Sequence, residues 1–379
     1  MPKKQIEFKT FEEQLDRLIN EKNLKVRNIE NAIYVLKNNS YYGLINGYKS
    51  FFSSKKIING QEVDDFKGNY FEDILYLYDF DRELSSILFK YLRILEDGVK
   101  TIISHKIAEE FSVDESVYLN PIYYREGDLI SSNELTIDIS SGVIKRGQFQ
   151  RDKFLKQMNE LILSKKFDSI RHYHTNYECV PPWILIRHCT FTETAYWYQL
   201  LKEGCVVQIE STEVSDPVQN NGLYAKQNED VKLEIVKHFL DVKVDVNRSD
   251  LIAQVDRYKS TFLDSLFILA EYRNVIAHGS PIISRTSKGD RHLKKYLRSI
   301  LQNSELLEIH GQSKSYVFSA CLALRVMFSK RSTVKENFIV EVINLLKRLK
   351  DDHPEIYLQV SYKTKMSIDR KSTRLNSSH

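Results

Sequence analysis

From Tyr70 to Phe111, Leu84, Leu88, Leu92, Leu95, Val99 and Ile103 recur every three or four positions, the spacing of one face of an α-helix. A stripe this long must lie against a core, so the chain has to fold around one long helix or two in tandem. Only seven prolines interrupt the 379 residues, and the stretches between them carry the same helical periodicity. The expected fold is mainly α. Glu96 and Lys100 border the stripe at i, i+4, a spacing suited to an ion pair on a helix surface.

Ahead of this stripe, Thr10 to Asn20 and Asn28 to Asn38 read as two short helices, each opened by a capping residue. They define an N-terminal helical region over 1–69. A helix-turn-helix is one use of such a pair, and packing on a main domain is the commoner one. The main helical domain is expected over 70–350. Within it Leu135, Ile137 and Ile139 alternate with polar residues before Gly142, which predicts a β-hairpin insertion near 131–147. Helices resume over Arg151 to Phe167 and Trp183 to Glu203, and a polar loop is expected from Ser211 to Asn228. Further helices are expected over Val231 to Leu240, Thr261 to His278, and Ser315 to Lys350 with a break near Ser329. Residues 351–368 form a C-terminal segment. The last eleven residues, 369–379, read like one frame of a sequencing-adapter oligonucleotide and are set aside as a non-native tail.

Composition narrows the function classes. The net charge is only +4, so any case for a nucleic acid rests on local clusters rather than on the whole chain. No run approaches the roughly 20 apolar residues of a membrane span, and no signal-peptide pattern follows Met1. The expectation is a cytoplasmic protein without membrane partners. Cys179, Cys189, Cys205 and Cys321 form no C-x-x-C pair and read as core thiols. Phosphate loops, dinucleotide fingerprints and zinc-hydrolase motifs do not occur. His172 and His174 have no acidic or cysteine partner at ligand spacing, so neither a metal nor a cofactor is expected.

What remains is the stretch from Phe262 to Pro281. Leu263, Leu266, Phe267, Ala270 and Ala277 make an apolar stripe, and Gly279 followed by Pro281 predicts that the helix stops at His278. At about 100° per residue, Glu271, Asn274 and His278 share a face, with Arg273 roughly 140° from His278. The carbonyl end of a helix attracts a cation, which suits a histidine asked to act as acid and as base. Arginine, asparagine and histidine at this spacing suit RNA cleavage by the RNA's own 2′-hydroxyl: a proton carrier, a phosphate clamp and an amide to hold either. The same residues would equally serve as a structural helix end with Arg273 in an ion pair.

Several stretches together resemble one family. Glu12-Glu13-Gln14 through Ala32 and Tyr41-Tyr42-x-Leu44-x-x-Gly47-Tyr48 come first, followed by Phe71-Glu72-x-Ile74-x-x-Leu77-Tyr78-x-Phe80-Asp81-Arg82-x-Leu84. Glu96-x-x-x-Lys100, His105, Pro182-Trp183-Ile184, Thr190-Phe191 and Arg273-Asn274-x-x-Ala277-His278 complete the pattern. It is similar to the Abi-like (abortive infection, AbiD/AbiF type) proteins with a HEPN ribonuclease domain. The resemblance implies a HEPN-type helical bundle over 70–350 and a metal-independent endoribonuclease site built from Arg273, Asn274 and His278, with Glu96, Lys100 and Glu271 in support. It also implies phage-triggered growth arrest, in some members neutralised by a structured antitoxin RNA. Lys100 stands where arginine is common, and Thr192 where glycine is usual after Thr-Phe.

RNA needs a surface. Arg285, Lys288, Arg291, Lys294, Lys295 and Arg298 follow the turn closely and are the candidate RNA-binding residues, although a solvated basic helix would look the same. The rings of Tyr41, Tyr42, Tyr48, Phe51 and Phe52 could stack on bases or fill the core. A homodimer is expected, because one helix end offers a single imidazole to a reaction that needs a base and an acid; in a monomer His105 or His292 would have to supply the second group. Two other readings remain open: a non-catalytic RNA-binding or phage-sensing module, and a DNA-binding regulator built on the N-terminal helix pair.

Overall fold

The computed structural model describes residues 8–58, 61–137, 144–202, 231–242, 251–285, 317–364, 366 and 368. Its spine is α4, Phe71–Glu110, a single helix of 40 residues, or about 60 Å at 1.5 Å per residue. The stripe read from the sequence is its buried face, with Leu84, Leu88, Leu92, Leu95, Val99 and Ile103 all closed to solvent. No helix among the described residues is long and apolar enough to cross a membrane.

α1 (Phe11–Asn20) and α2 (Ile29–Asn38) form a hairpin at the start of this spine. Thr10 opens α1 through a capping box with Glu13, and Asn28 caps α2 by accepting the N–H of Asn31. Glu72, in the first turn of α4, accepts the backbone N–H groups of Arg27 and Asn28 at 3.0 and 3.2 Å. The hairpin is thereby tied to α4. A π-helical turn over Tyr42–Asn46 leads into α3 (Gly47–Phe52), which also packs on α4.

Two antiparallel hairpins interrupt the helices. β3 (Leu129–Ile137) and β4 (Ile144–Phe149) form the expected insertion. β1 (Ser54–Ile58) and β2 (Gln61–Asp65) form one that the helical reading did not include, paired in register from Ser54 with Asp65 to Ile58 with Gln61. Its signal was the Asn59-Gly60 dipeptide between two strand-forming runs.

After α5 (Glu115–Tyr118), α6 (Gln150–Leu163) and α7 (Asp168–Tyr177), the chain reaches the segment expected to be one helix from Trp183 to Glu203. It is broken instead into α8 (Pro182–Leu185), a 3₁₀ turn over Ile186–His188, and α9 (Phe191–Leu200). The break has a local cause: Thr190 and Glu193 satisfy each other's backbone donors in a capping box, which starts a new helix at Phe191. The loop expected over Ser211 to Asn228 lies outside the described residues.

α10 (231–239) is followed by α11 (Leu251–Ala277), which begins ten residues earlier than the apolar stripe suggested. α12 (Val317–Met327) and α13 (Ser332–Asp352) are separated near Ser329 as expected, and α14 (Pro354–Thr364) closes the described chain. α8, α9, α11, α12 and α13 all pack against α4. The result is a helical bundle around one spine. Cys189 and Cys321 lie in its core, where burial pushes both thiols up to about 12, while Cys205 lies outside the described residues.

Candidate active site

α11 buries Leu266, Leu269, Ala270, Tyr272 and Val275 in the bundle. Its apolar face ends at Val275, for Ala277 is exposed rather than buried as its place in the stripe implied. The N–H of Gly279 donates to Ile276 O at 2.9 Å and that of Ser280 to Val275 O at 3.1 Å. This is the Schellman arrangement, with Gly279 in the left-handed conformation at φ 65° and His278 as the C-cap. The sequence stop is thus realised in atoms. The His278 side chain is exposed, and among the described residues its imidazole makes no hydrogen bond.

One and a half turns earlier, Arg273 turns inward to α4. Its Nε lies 3.3 Å from Oε2 of Glu96, whose side chain is only 1 % exposed. Lys100 Nζ approaches the other carboxylate oxygen at 2.8 Å and also donates to the carbonyl of Cys189 at 2.7 Å. Arg93 lies between Glu96 at 3.9 Å and Asp97 at 3.7 Å. A buried carboxylate is tolerated only with such partners. Three cations share two carboxylates here, which leaves one positive charge in surplus beside the helix end.

Asn274 faces α9. Its Nδ2 is 3.5 Å from the hydroxyl of Thr192, and its Oδ1 is 3.4 Å from Nη1 of Arg273, both at the long limit of hydrogen bonding. Thr192 and Lys100, the two departures from the family pattern, therefore both lie at this cluster. Asn274 and His278 are one turn apart on the same face, so an anion lying over Asn274 would meet both the cationic cluster and the imidazole.

The chain beyond the helix is held just as firmly. Asp81, buried inside α4, accepts the N–H of Ile282 at 3.1 Å, that of Ile283 at 3.0 Å and the hydroxyl of Tyr48 at 2.6 Å. Burial pushes its carboxyl up to about 6, against the pull of these three donors. Gly47, one residue before Tyr48, meets the ring of Pro281 so closely that a Cβ there would come within 2.7 Å of Cγ. The sequence reading gives Asp81 and Gly47 no site role, and Tyr48, a candidate for base stacking there, is instead a core residue that holds Asp81. Asp81 did carry a signal: it is a carboxylate at a core-facing position between Leu77 and Leu84.

The remaining candidates divide. Glu271 does not join His278; it pairs with Arg285 across 2.9 Å, so that Arg285 spends its charge within the protein. Lys288, Arg291, Lys294, Lys295 and Arg298 lie outside the described residues. Tyr48, Phe51 and Phe52 are core residues, Tyr41 is half-buried, and Tyr42 is 76 % exposed. His105 is exposed on α4, and on α7 His172 is exposed and His174 half-buried. Among the described residues no three histidine, cysteine or acidic side chains gather as a metal site would require.

Stretches far apart in sequence thus line the last turns of α11 and the turn that follows it: Gly47-Tyr48 and Asp81 at the turn, Glu96 to Lys100 and Thr190 to Thr192 beside Arg273 and Asn274. A comparison with family models matches residues 34–284 to the family described as Abi-like protein. The chain belongs to that family. The match takes in every one of these stretches, and membership suggests a part in abortive infection and so in phage defence. No curated protein and no solved structure matches the chain.

Proposed function

We propose that this Abi-like protein is a HEPN-type endoribonuclease of phage defence, cleaving RNA by attack of the RNA's own 2′-hydroxyl. The observation that carries the reading is the exposed His278 imidazole at the end of the same helix that seats Arg273 on Glu96 beside Lys100. In the reaction the 2′-oxygen bonds to phosphorus and the bond from phosphorus to the 5′-oxygen breaks. An imidazole removes the proton of the 2′-hydroxyl, and a second proton passes to the departing 5′-oxygen. The products are a 2′,3′-cyclic phosphate and a free 5′-hydroxyl. Arg273 and Lys100 offset the charge that builds on the phosphorane, and Asn274 orients a phosphate oxygen or the imidazole.

Base, acid and cation are all protein side chains in this scheme. The partners are a substrate RNA, a structured antitoxin RNA that holds the activity in check, and a second copy of the chain in a homodimer, all in the cytoplasm. The test is cleavage of intact RNA in excess EDTA, with mapping of the new ends. Wild type is expected to cleave and leave cyclic phosphates, whereas folded His278→Ala and Arg273→Ala proteins slow at least ~10²-fold. If both folded variants cleave like wild type, the site is elsewhere.

The second reading, a non-catalytic RNA-binding or phage-sensing module, draws on the Arg273 to Glu96 ion pair, which a purely structural helix end would also contain. The same assay separates the two, because that module would leave RNA intact.

A further inference from the structure

In the N-terminal region, three lysines far apart in sequence converge on one carboxylate. Lys55 of β1 lies 2.8 Å from Oδ1 of Asp64, while Lys49 of α3 and Lys22, just past α1, approach Oδ2 at 3.0 and 3.9 Å. Asp64 itself is 10 % exposed. The neighbouring carboxylate, Asp65, is engaged by Lys56 at 3.7 Å. With the groups that act on them counted in, four positive charges, the three lysines and Arg17, face three negative ones, Asp64, Glu21 and Glu62, which leaves one in surplus where like charges repel. Burial lowers the pKa of Lys22, with Arg17 and Lys49 adding to the effect and Asp64 and Glu21 opposing it. A bound anion would relieve that repulsion.

We infer that Lys22, Lys49 and Lys55, organised by Asp64, form a second phosphate-binding site that holds the backbone of the RNA away from its scissile bond. The inference rests on RNA being the ligand of the His278 site. Its position supports this, since Lys49 sits on α3 two residues after Gly47, and Gly47 is packed on Pro281, three residues beyond His278. Ammonium groups are point charges without the fork that reads bases, so this site recognises backbone rather than sequence. The exposed ring of Tyr42, just before α3, offers an unpaired base a face to stack on.

The test uses the full chain and a 2′-O-methyl RNA oligonucleotide, which keeps the phosphates but blocks the attacking hydroxyl. Fluorescence anisotropy across about 50 to 200 mM salt gives the slope of log affinity against log salt, roughly 0.7 per single-strand phosphate neutralised. Lys22→Gln/Lys49→Gln/Lys55→Gln should flatten the slope by about 2 and weaken low-salt binding roughly tenfold or more. Lys55→Gln alone, at the most exposed of the three, should flatten it by about 0.7 and guards against a triple variant that does not fold. An unchanged slope in folded Lys55→Gln and triple variants would overturn the site. The two readings fail separately: a protein that binds through these lysines but never cleaves RNA loses only its proposed activity. One that cleaves RNA with an unaltered slope in the variants loses only this site.

Discussion

Oδ2 of Asp81 lies 3.1 Å from the backbone nitrogen of Ile282, so a carboxylate inside the spine helix grips the chain four residues after His278. With Ile283 and Tyr48 as further donors, Asp81 fixes where α11 ends relative to α4. Asp81→Ala would leave three buried donors without an acceptor, and it should cost about 3 kcal/mol or more in chemical denaturation. Asp81→Asn keeps the shape but can accept only through one oxygen. It should lower the RNA cleavage rate at saturating RNA more than the affinity for RNA, because the displaced element is the helix end.

The same carboxyl gives a pH dependence with a definite sign. Its folded pKa, raised by burial to about 6, lies above the unfolded value near 3.8, so the folded protein binds the proton more tightly. Stability from this group is therefore fully present below the unfolded value and is lost as pH rises through about 6. Between pH ~5 and ~7 wild type should lose about 1 kcal/mol that Asp81→Asn does not. Thermal unfolding of the two proteins in parallel reads the difference, and equal pH profiles would contradict the assignment.

Two glycines should respond in different ways. Gly279 has φ 65° and open space around its missing Cβ, so Gly279→Ala meets only backbone strain, about 1 to 2 kcal/mol. Gly279→Asn should be milder, since asparagine visits that conformation more readily. Gly47→Ala instead drives a Cβ against Pro281 and must displace it. Melting temperature should fall for Gly279→Ala, while Gly47→Ala should lower cleavage beyond what its melting temperature explains.

At Glu96 the expectation concerns charge. Glu96→Gln leaves Lys100 and Arg273 facing no carboxylate in a largely closed site, and breaking such a buried pair costs about 3 to 5 kcal/mol. Adding Lys100→Met should recover part of the loss, so that the double variant is more stable than Glu96→Gln alone. Strict additivity, measured by denaturant titration, would mean that the two residues are not coupled.

How much of this was legible follows from the range of the signal. The stripe of α4, the caps at Thr10 and Asn28 and the stop at Gly279 are local patterns, and each is found where the spacing put it. The break at Thr190 was local too, but its capping box lay inside an apolar run that read as continuous helix. Contacts of Arg273 with Glu96 and of Asp81 with Ile282 join residues 177 and 201 positions apart, and no periodicity encodes such pairs. Only the packing of α11 on α4 brings them together. The family resemblance includes Arg273, Glu96 and Asp81 but not Ile282, and carries none of their geometry.

The last expectation concerns the assembly. Each chain presents a single exposed imidazole at the end of α11, while the proposed cleavage needs a base on one side of phosphorus and an acid on the other. A two-fold axis beside that helix end would bring in a second His278 and a second Arg273 without any further residue type. His105, exposed on α4, could supply the second group within one chain and is the competing candidate among the described residues; His292, the other one, lies outside them. Two measurements decide between them. In a shared site, specific cleavage activity should fall as the protein is diluted below its dimer dissociation constant, and a mixture of His278→Ala with wild type should lose more activity than the wild-type fraction alone accounts for. His105→Ala should then cleave like wild type. A monomer by light scattering whose specific activity holds down to nanomolar concentration, with cleavage lost in His105→Ala, would instead place the whole reaction in one chain.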